Sequence, residues 1–358
     1  MGFVHVLKER AKRNSVLVKY YVLIVGGVKR WKKKMGKAIR KVILWFTVKR
    51  HCSYGTRNKG RGFYLIQWQK PSHGLFSMTL YLLPYILYAV EKGYIPVIDL
   101  KNSYMPMLQD SDKKGKENAW EYYFEQPFYP YDLDEVYQSS NVAIKVDELD
   151  KTKCPDWNAI FPTDEETLKY WSSMFHTYIR LQPTLEKRVE SIAQEILNNR
   201  KVMGISIRAG YRSGMMRKVE LLNGHPRQPS CEEVIAIIEQ KLKEWSYSEF
   251  FLACDDREYH DEIEKFFGKK CISMKRRLKH YFVNGRPFEN EEELKCEYKG
   301  SSIRETTEEY IIETYLLSFC DSLYSTGGGG SEFAYFINGG RYKYVELYDD
   351  GVYSGIGQ

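Results

Sequence analysis

Short apolar runs alternate with longer amphipathic stretches along most of this chain. Phe63-Tyr64-Leu65-Ile66 reads as a strand, Met78 to Val90 as a helix, and Tyr94 to Asp99 as a second strand. That strand, loop, helix and strand order is a βαβ unit. Asp164 to Asn199 carries a helical pattern broken at Pro183. Alternation then resumes. Strands are predicted at Val202–Ile207, Phe250–Cys254, Lys270–Met274, Ser322–Thr326 and Tyr342–Leu347, with helices at Ser230–Trp245, Tyr259–Phe267 and Tyr310–Leu317. Runs this short and this rich in β-branched and aromatic residues, separated by helices, predict parallel strands covered on both faces. The fold class expected is α/β, with two Rossmann-like units built on parallel doubly wound sheets. The predicted boundaries are a leader over 1–60, a first α/β domain over 61–190 and a second over 191–358.

In open α/β sheets, ligands sit at the carboxyl ends of the strands. Three such ends carry polar chemistry. Arg208 follows the strand Val202–Ile207, and its planar fork suits a phosphate because it can give two parallel hydrogen bonds. A surface arginine after a strand is the plain alternative. Asp255 and Asp256 close the strand at Phe250. Thr326-Gly327-Gly328-Gly329-Gly330-Ser331 separates the strand at Ser322 from the next helix, and such a turn offers bare N–H groups and a positive helix end to an anion. Together they look like a nucleotide-diphosphate pocket.

The order of these pieces resembles the donor domain of the fucosyltransferase superfamily, which includes core α-1,6-fucosyltransferases, nodulation fucosyltransferases and protein O-fucosyltransferases. That group carries a strand ending in His-x-Arg-Arg-x-Asp, a later strand ending in an Asp pair, and a Cys-Asp strand before a small-residue loop. Arg208 matches the first arginine of the signature, which grips the donor β-phosphate. Ser206 stands where the family has His, Ala209 where it has the second Arg, and Tyr211 where it has Asp. The resemblance implies a GT-B fold and a GDP-sugar donor, with no other cofactor. The loop Pro71 to Ser77 resembles the family's first glycine loop, so Gly74 and Phe76 become donor-binding candidates, although Gly74 also fits an ordinary turn. Arg212 lies in the loop after Arg208 and joins the donor set. Core-type members have a Lys and a Glu in this loop before His-Pro. Lys218 and Glu220 precede His225-Pro226 here. Glu220 is then the expected base with Lys218 as partner; His225 is the alternative, because histidine titrates in the useful range. Each is also compatible with a solvated loop. Guanine presents two donors that one carboxylate can accept, so Asp255 and Asp256 are read as base-recognition residues rather than as a catalytic pair or a helix cap.

Charge changes the picture at the amino end. Residues 1–61 hold 18 Lys and Arg against Glu9 alone, a charge of +17, while the rest holds 36 basic and 46 acidic residues, a charge of −10. A nucleic-acid enzyme should carry its basic surface on the folded body, so none is expected as partner. Ser15 to Val28 is apolar but about half the length that crosses a bilayer, and no small-residue cleavage site follows it. Trp31, Met35, Ile39, Val42, Ile43 and Phe46 share one helical face, with Lys32, Lys33, Lys37, Arg40 and Lys41 mostly on the other. Such a helix suits an anionic membrane surface, each cation contributing on the order of 1 kcal/mol; a helix packed on the body with a basic edge is the other reading. Residues 15–50 are therefore expected to hold the protein peripherally at a cytoplasmic membrane face. Seven cysteines without a Cys-x-x-Cys read as reduced thiols.

Asp110-Ser111-Asp112 and Asp132-Leu133-Asp134 have the spacing of a metal-binding pair but follow no apolar strand, so a metal-free enzyme is expected. Asn118 to Phe124 is dense in aromatics and could face an acceptor sugar, but fits a core segment better. The expected activity is inverting transfer of fucose from GDP-fucose to a glycan or glycolipid. A transferase of another nucleotide sugar and a non-catalytic glycan- or nucleotide-binding module remain the alternatives.

Overall fold

A computed structural model describes residues 49–68, 74–102, 110, 112–145, 164–209, 226–278, 282–283, 286–287 and 302–352. The elements are β1 (Lys49–Cys52), β2 (Phe63–Gln67), α1 (Leu75–Glu91), β3 (Ile95–Asp99), α2 (Trp120–Tyr123), α3 (Leu133–Val136), β4 (Val142–Lys145), α4 (Glu165–Tyr178) and α5 (Pro183–Ile196). They continue as β5 (Met203–Ile207), α6 (Cys231–Glu244), β6 (Phe250–Cys254), α7 (Arg257–Phe267), β7 (Cys271–Ser273), β8 (Phe282–Val283), β9 (Arg286–Pro287), α8 (Ile303–Ser318), β10 (Ser322–Ser325), α9 (Gly329–Asn338) and β11 (Val345–Leu347).

Beside a two-stranded antiparallel pairing of β8 with β9, two main sheets result, as the alternation predicts. The second has the order β11-β10-β5-β6-β7 and is parallel throughout. From β5 the chain runs outward through β6 and β7, then returns to β10 on the other side. The strand order reverses between β5 and β10, and a crevice opens at such a switch point. The first sheet has the order β1-β4-β2-β3. Strands β4, β2 and β3 are parallel, and β1 runs antiparallel beside β4 at one edge.

The strand β1 corrects the expected leader boundary. Lys49–Cys52 pairs with Val142–Lys145, and Asn58 donates to Glu135 and Ser139 at 2.9 Å, so residues from 49 belong to the first sheet. Charge spacing does not reveal a strand whose partner lies about ninety residues away. The amphipathic segment itself, through Phe46, lies outside the described residues. The boundary expected at 190/191 falls inside α5, which continues unbroken and packs on α8.

One apolar core joins the two sheets. Tyr64 and Ile98 of the first sheet and Phe251 and Leu323 of the second belong to the same buried cluster. At its centre is Phe333 on α9, whose ring lies 4.2 Å from Phe76, 4.6 Å from Phe175 and 6.4 Å from Phe124. Helix α9 packs against α1, α4 and α8, which explains why it is apolar nearly all round. Trp120, Tyr123 and Phe124 are fully buried, so the aromatic stretch there is core.

Candidate nucleotide-sugar site

Most longer helices begin on a side-chain cap. Asp164, Ser230, Asp256 and Ser302 each accept an N–H from the first turn of α4, α6, α7 and α8, as short polar side chains do at this position. Helices α1, α5 and α9 differ: α5 opens on Pro183 after Gln182 without a side-chain cap, and α1 and α9 open on glycine. Their N-caps are Gly74 and Gly328, and neither offers a side chain to the turn that follows. The first-turn N–H groups of a helix need partners and carry its positive end.

These two bare ends meet. A Cβ on Gly329 would lie 2.5 Å from Ser77 Oγ and 3.0 Å from Ser77 N, so the first turn of α9 lies directly on the first turn of α1. Arg208 reaches the same place from the end of β5. A Cβ on Gly328 would lie 3.1 Å from Arg208 Cδ and 3.2 Å from Nη1, and Gly328 has φ +123°, a conformation L side chains rarely adopt. Glycine is thus required at 328 by both backbone and contact. The site combines two helix N-termini with one guanidinium at the switch point, all suited to an anion.

Thr326 positions Arg208. Its hydroxyl accepts the Arg208 backbone N–H at 2.9 Å, its own N–H reaches the carbonyl of Ser206, and its carbonyl accepts from Gln228 at 2.8 Å. Fully buried, Thr326 ties the ends of β5 and β10 together. Ser331 is buried too, its hydroxyl donating to the carbonyl of Gly328. The Gly327 N–H donates to Ser325 Oγ.

The Asp pair divides. Asp255 Oδ2 lies 3.9 Å from Arg208 Nε, with both side chains partly exposed. Asp256 is fully buried and accepts the N–H of Tyr259 at 3.0 Å, so its carboxylate starts α7. Phe76 also differs from its expected placement. Its ring is 1% exposed and packs on Tyr310 and Phe333, which leaves only its backbone at the helix start. The alternation of a helix turn, which points residue 76 inward, is the reason. Asp132 caps α3 by accepting from Glu135.

Arg212, Lys218, Glu220 and His225 lie outside the described residues.

Beside the end of β6 lies a buried ion pair that the linear sequence did not single out. Arg276 donates to both carboxylate oxygens of Glu313 at 2.7 and 2.8 Å, and to the Cys254 carbonyl at 2.8 Å. The last bond fixes the end of β6, from which Asp255 projects. Burial pushes the Glu313 carboxyl up and Arg276 pulls it back. A Glu inside the apolar run Ile311-Ile312-Glu313 was the available signal, because a carboxylate is rarely buried unless paired. Glu332 was missed as well. One turn beyond Gly328 on α9, it is half-buried, and burial pushes its carboxyl up to about 7 against the opposing pull of Arg208.

No family model and no curated protein matches this sequence. Among solved structures, the chain is similar to a NodZ α-1,6-fucosyltransferase soaked with GDP-fucose, at 14% identity over 77% of this chain and 93% of that one, with a TM-score of 0.43. It is also similar to an Arabidopsis thaliana FUT1 variant in complex with GDP, at 12% identity over 84% and 73% of the two chains, TM-score 0.45. A POFUT1 in complex with GDP-fucose matches at 10% identity over 80% and 73%, TM-score 0.35.

Proposed function

We propose that this chain is a glycosyltransferase that binds a nucleotide-diphosphate sugar between its two α/β units. The observation that carries this reading is the meeting of the uncapped α1 and α9 with Arg208 beside the switch point. Sugar transfer leaves charge on the departing diphosphate, and preorganised donors at that position lower the barrier. Two helix ends and a guanidinium supply such charge without an ion. The sequence resemblance around Arg208 and the glycine loop favours GDP-fucose as donor and inversion as stereochemical course. The acceptor hydroxyl of a glycan or glycolipid would enter from the first-domain side. Glu220 or His225, in the segment between β5 and α6, would take its proton.

The basic amphipathic leader supports placement at an anionic membrane surface, with the active body outside the bilayer. Among the described residues, no helix is long and apolar enough to cross a membrane.

Calorimetry of the full chain with GDP, UDP and ADP tests the donor class, followed by release of GDP from GDP-fucose. Preferential GDP binding with turnover is the expected result. Preference for UDP or ADP would move the enzyme to another nucleotide sugar. GDP binding without any turnover would favour a non-catalytic module, and no nucleotide binding at all would overturn the reading.

A further inference from the structure

We propose that Glu332 belongs to the diphosphate site and binds there in its protonated form, so that the protein takes up a proton when a nucleoside diphosphate enters. This rests on the nucleotide-diphosphate reading of the site.

Two observations and the lean of helical side chains direct the carboxyl there. The Glu332 N–H bonds the Gly328 carbonyl at 3.2 Å, which puts the two residues one turn apart on the same face of α9. Helical side chains lean toward the N-terminus, so the Glu332 side chain lies over the turn that opens at Gly328. Arg208 occupies that turn, with Nη1 3.2 Å from where a Gly328 Cβ would be, and Arg208 is the charge that acts on Glu332.

The surrounding charges then decide the protonation state. Arg208 already has Asp255 at 3.9 Å. Arg276 is matched by Glu313 in the bidentate pair. Tyr310, on α8, is neutral near pH 7, since burial raises its hydroxyl further. The first turn of α1 brings no acid or base. His176 of α4 contacts the Ile337 carbonyl, at the far end of α9. Among the described residues, an ionised Glu332 would therefore face an incoming diphosphate with only Arg208 as a neighbouring cation, which Asp255 already shares. A neutral carboxyl removes that repulsion and gains an O–H that can donate to a phosphate oxygen. A group already pushed up to about 7 moves readily to the neutral form.

The sign follows from linkage. If the complex holds a proton that the free protein releases above about pH 7, affinity is highest below that pH and declines above it. One linked proton gives a tenfold rise in Kd per pH unit between about pH 7.5 and 9, where the terminal phosphate of GDP, with a second pKa near 6, no longer titrates.

Calorimetry with GDP at pH 7.5 in buffers of different ionisation enthalpy reads the proton count directly on the wild-type protein. We expect net uptake of up to one proton, a Kd that rises with pH, and loss of both the uptake and the pH dependence in Glu332→Gln. Binding of GDP that is independent of pH, without proton uptake, would overturn the inference while leaving the nucleotide reading intact. Uptake that persists in Glu332→Gln would overturn it too, by assigning the proton elsewhere. Failure of wild type to bind any nucleotide would remove both.

Discussion

Gly328 leaves no room for a side chain beside Arg208: a single Cβ added at residue 328 would come within 3.1 Å of the Arg208 Cδ. The glycine loop therefore has two roles. It leaves the α9 N-terminus bare, and it makes room for the guanidinium that shares the site.

Gly328→Ala should be damaging on both counts. Forcing an L residue to φ +123° costs on the order of 1–3 kcal/mol of stability. Displacement of Arg208 should add a loss of GDP affinity of tenfold or more. Gly60→Ala, where nothing lies within 4 Å of the new methyl, serves as the comparison. Thermal unfolding and GDP calorimetry on the two variants check this, and equal behaviour of both would remove the contact argument.

Arg208→Lys should impair turnover nearly as much as Arg208→Ala. Lysine keeps the charge but not the fork, and Thr326 holds the backbone in place for a long planar side chain. Charge stabilisation of this type is worth about 3 kcal/mol, roughly a hundredfold in rate. Steady-state release of GDP from GDP-fucose measures it; Arg208→Ala within a few fold of wild type would contradict the assignment.

Arg276→Ala should destabilise the fold by about 3–5 kcal/mol, because Glu313 would be left buried and uncompensated. The paired change Arg276→Met with Glu313→Leu should recover much of that stability. It should not recover GDP affinity, because the bond from Arg276 to the Cys254 carbonyl, which fixes the strand end before Asp255, is gone. Denaturant midpoints and calorimetry separate the two effects.

Activity should survive EDTA, since Arg208 and the two helix ends are proposed to supply the charge a metal would otherwise give. The check is GDP release with and without chelator. Complete loss rescued by magnesium or manganese would assign the reaction to a metal-dependent chemistry.

Removal of residues 1–48 should release the protein from anionic vesicles without abolishing GDP binding. The cut stops before β1, since Lys49–Cys52 pairs into the first sheet. The remaining body is acidic, so attraction to the bilayer must come from the leader, and salt should weaken it. Flotation with anionic and neutral liposomes decides it. A full-length chain that stays at the bottom of the gradient at low salt would make the helix a structural element.

The sequence by itself determined the local and periodic features. Runs such as Met203–Ile207 and Phe250–Cys254 are mostly apolar on both sides, as covered parallel strands are, and both strands stand where the pattern put them. It also placed Arg208 and the glycine loop at strand ends, because glycine and charge after an apolar run have a local cause. Tertiary structure decided what depends on distant partners. The antiparallel strand β1 exists only because Val142–Lys145 offers it an edge. Phe76 turned inward because Phe333, far along the chain, completes its packing. Asp255 and Asp256 are identical in sequence chemistry, yet one faces Arg208 and the other caps a helix, since adjacent residues at a strand end point in different directions. The meeting of the α1 and α9 ends, and with it the setting of Glu332, could be read only from the fold. No periodicity in either helix records that two N-termini from separate sheets are pressed against one another.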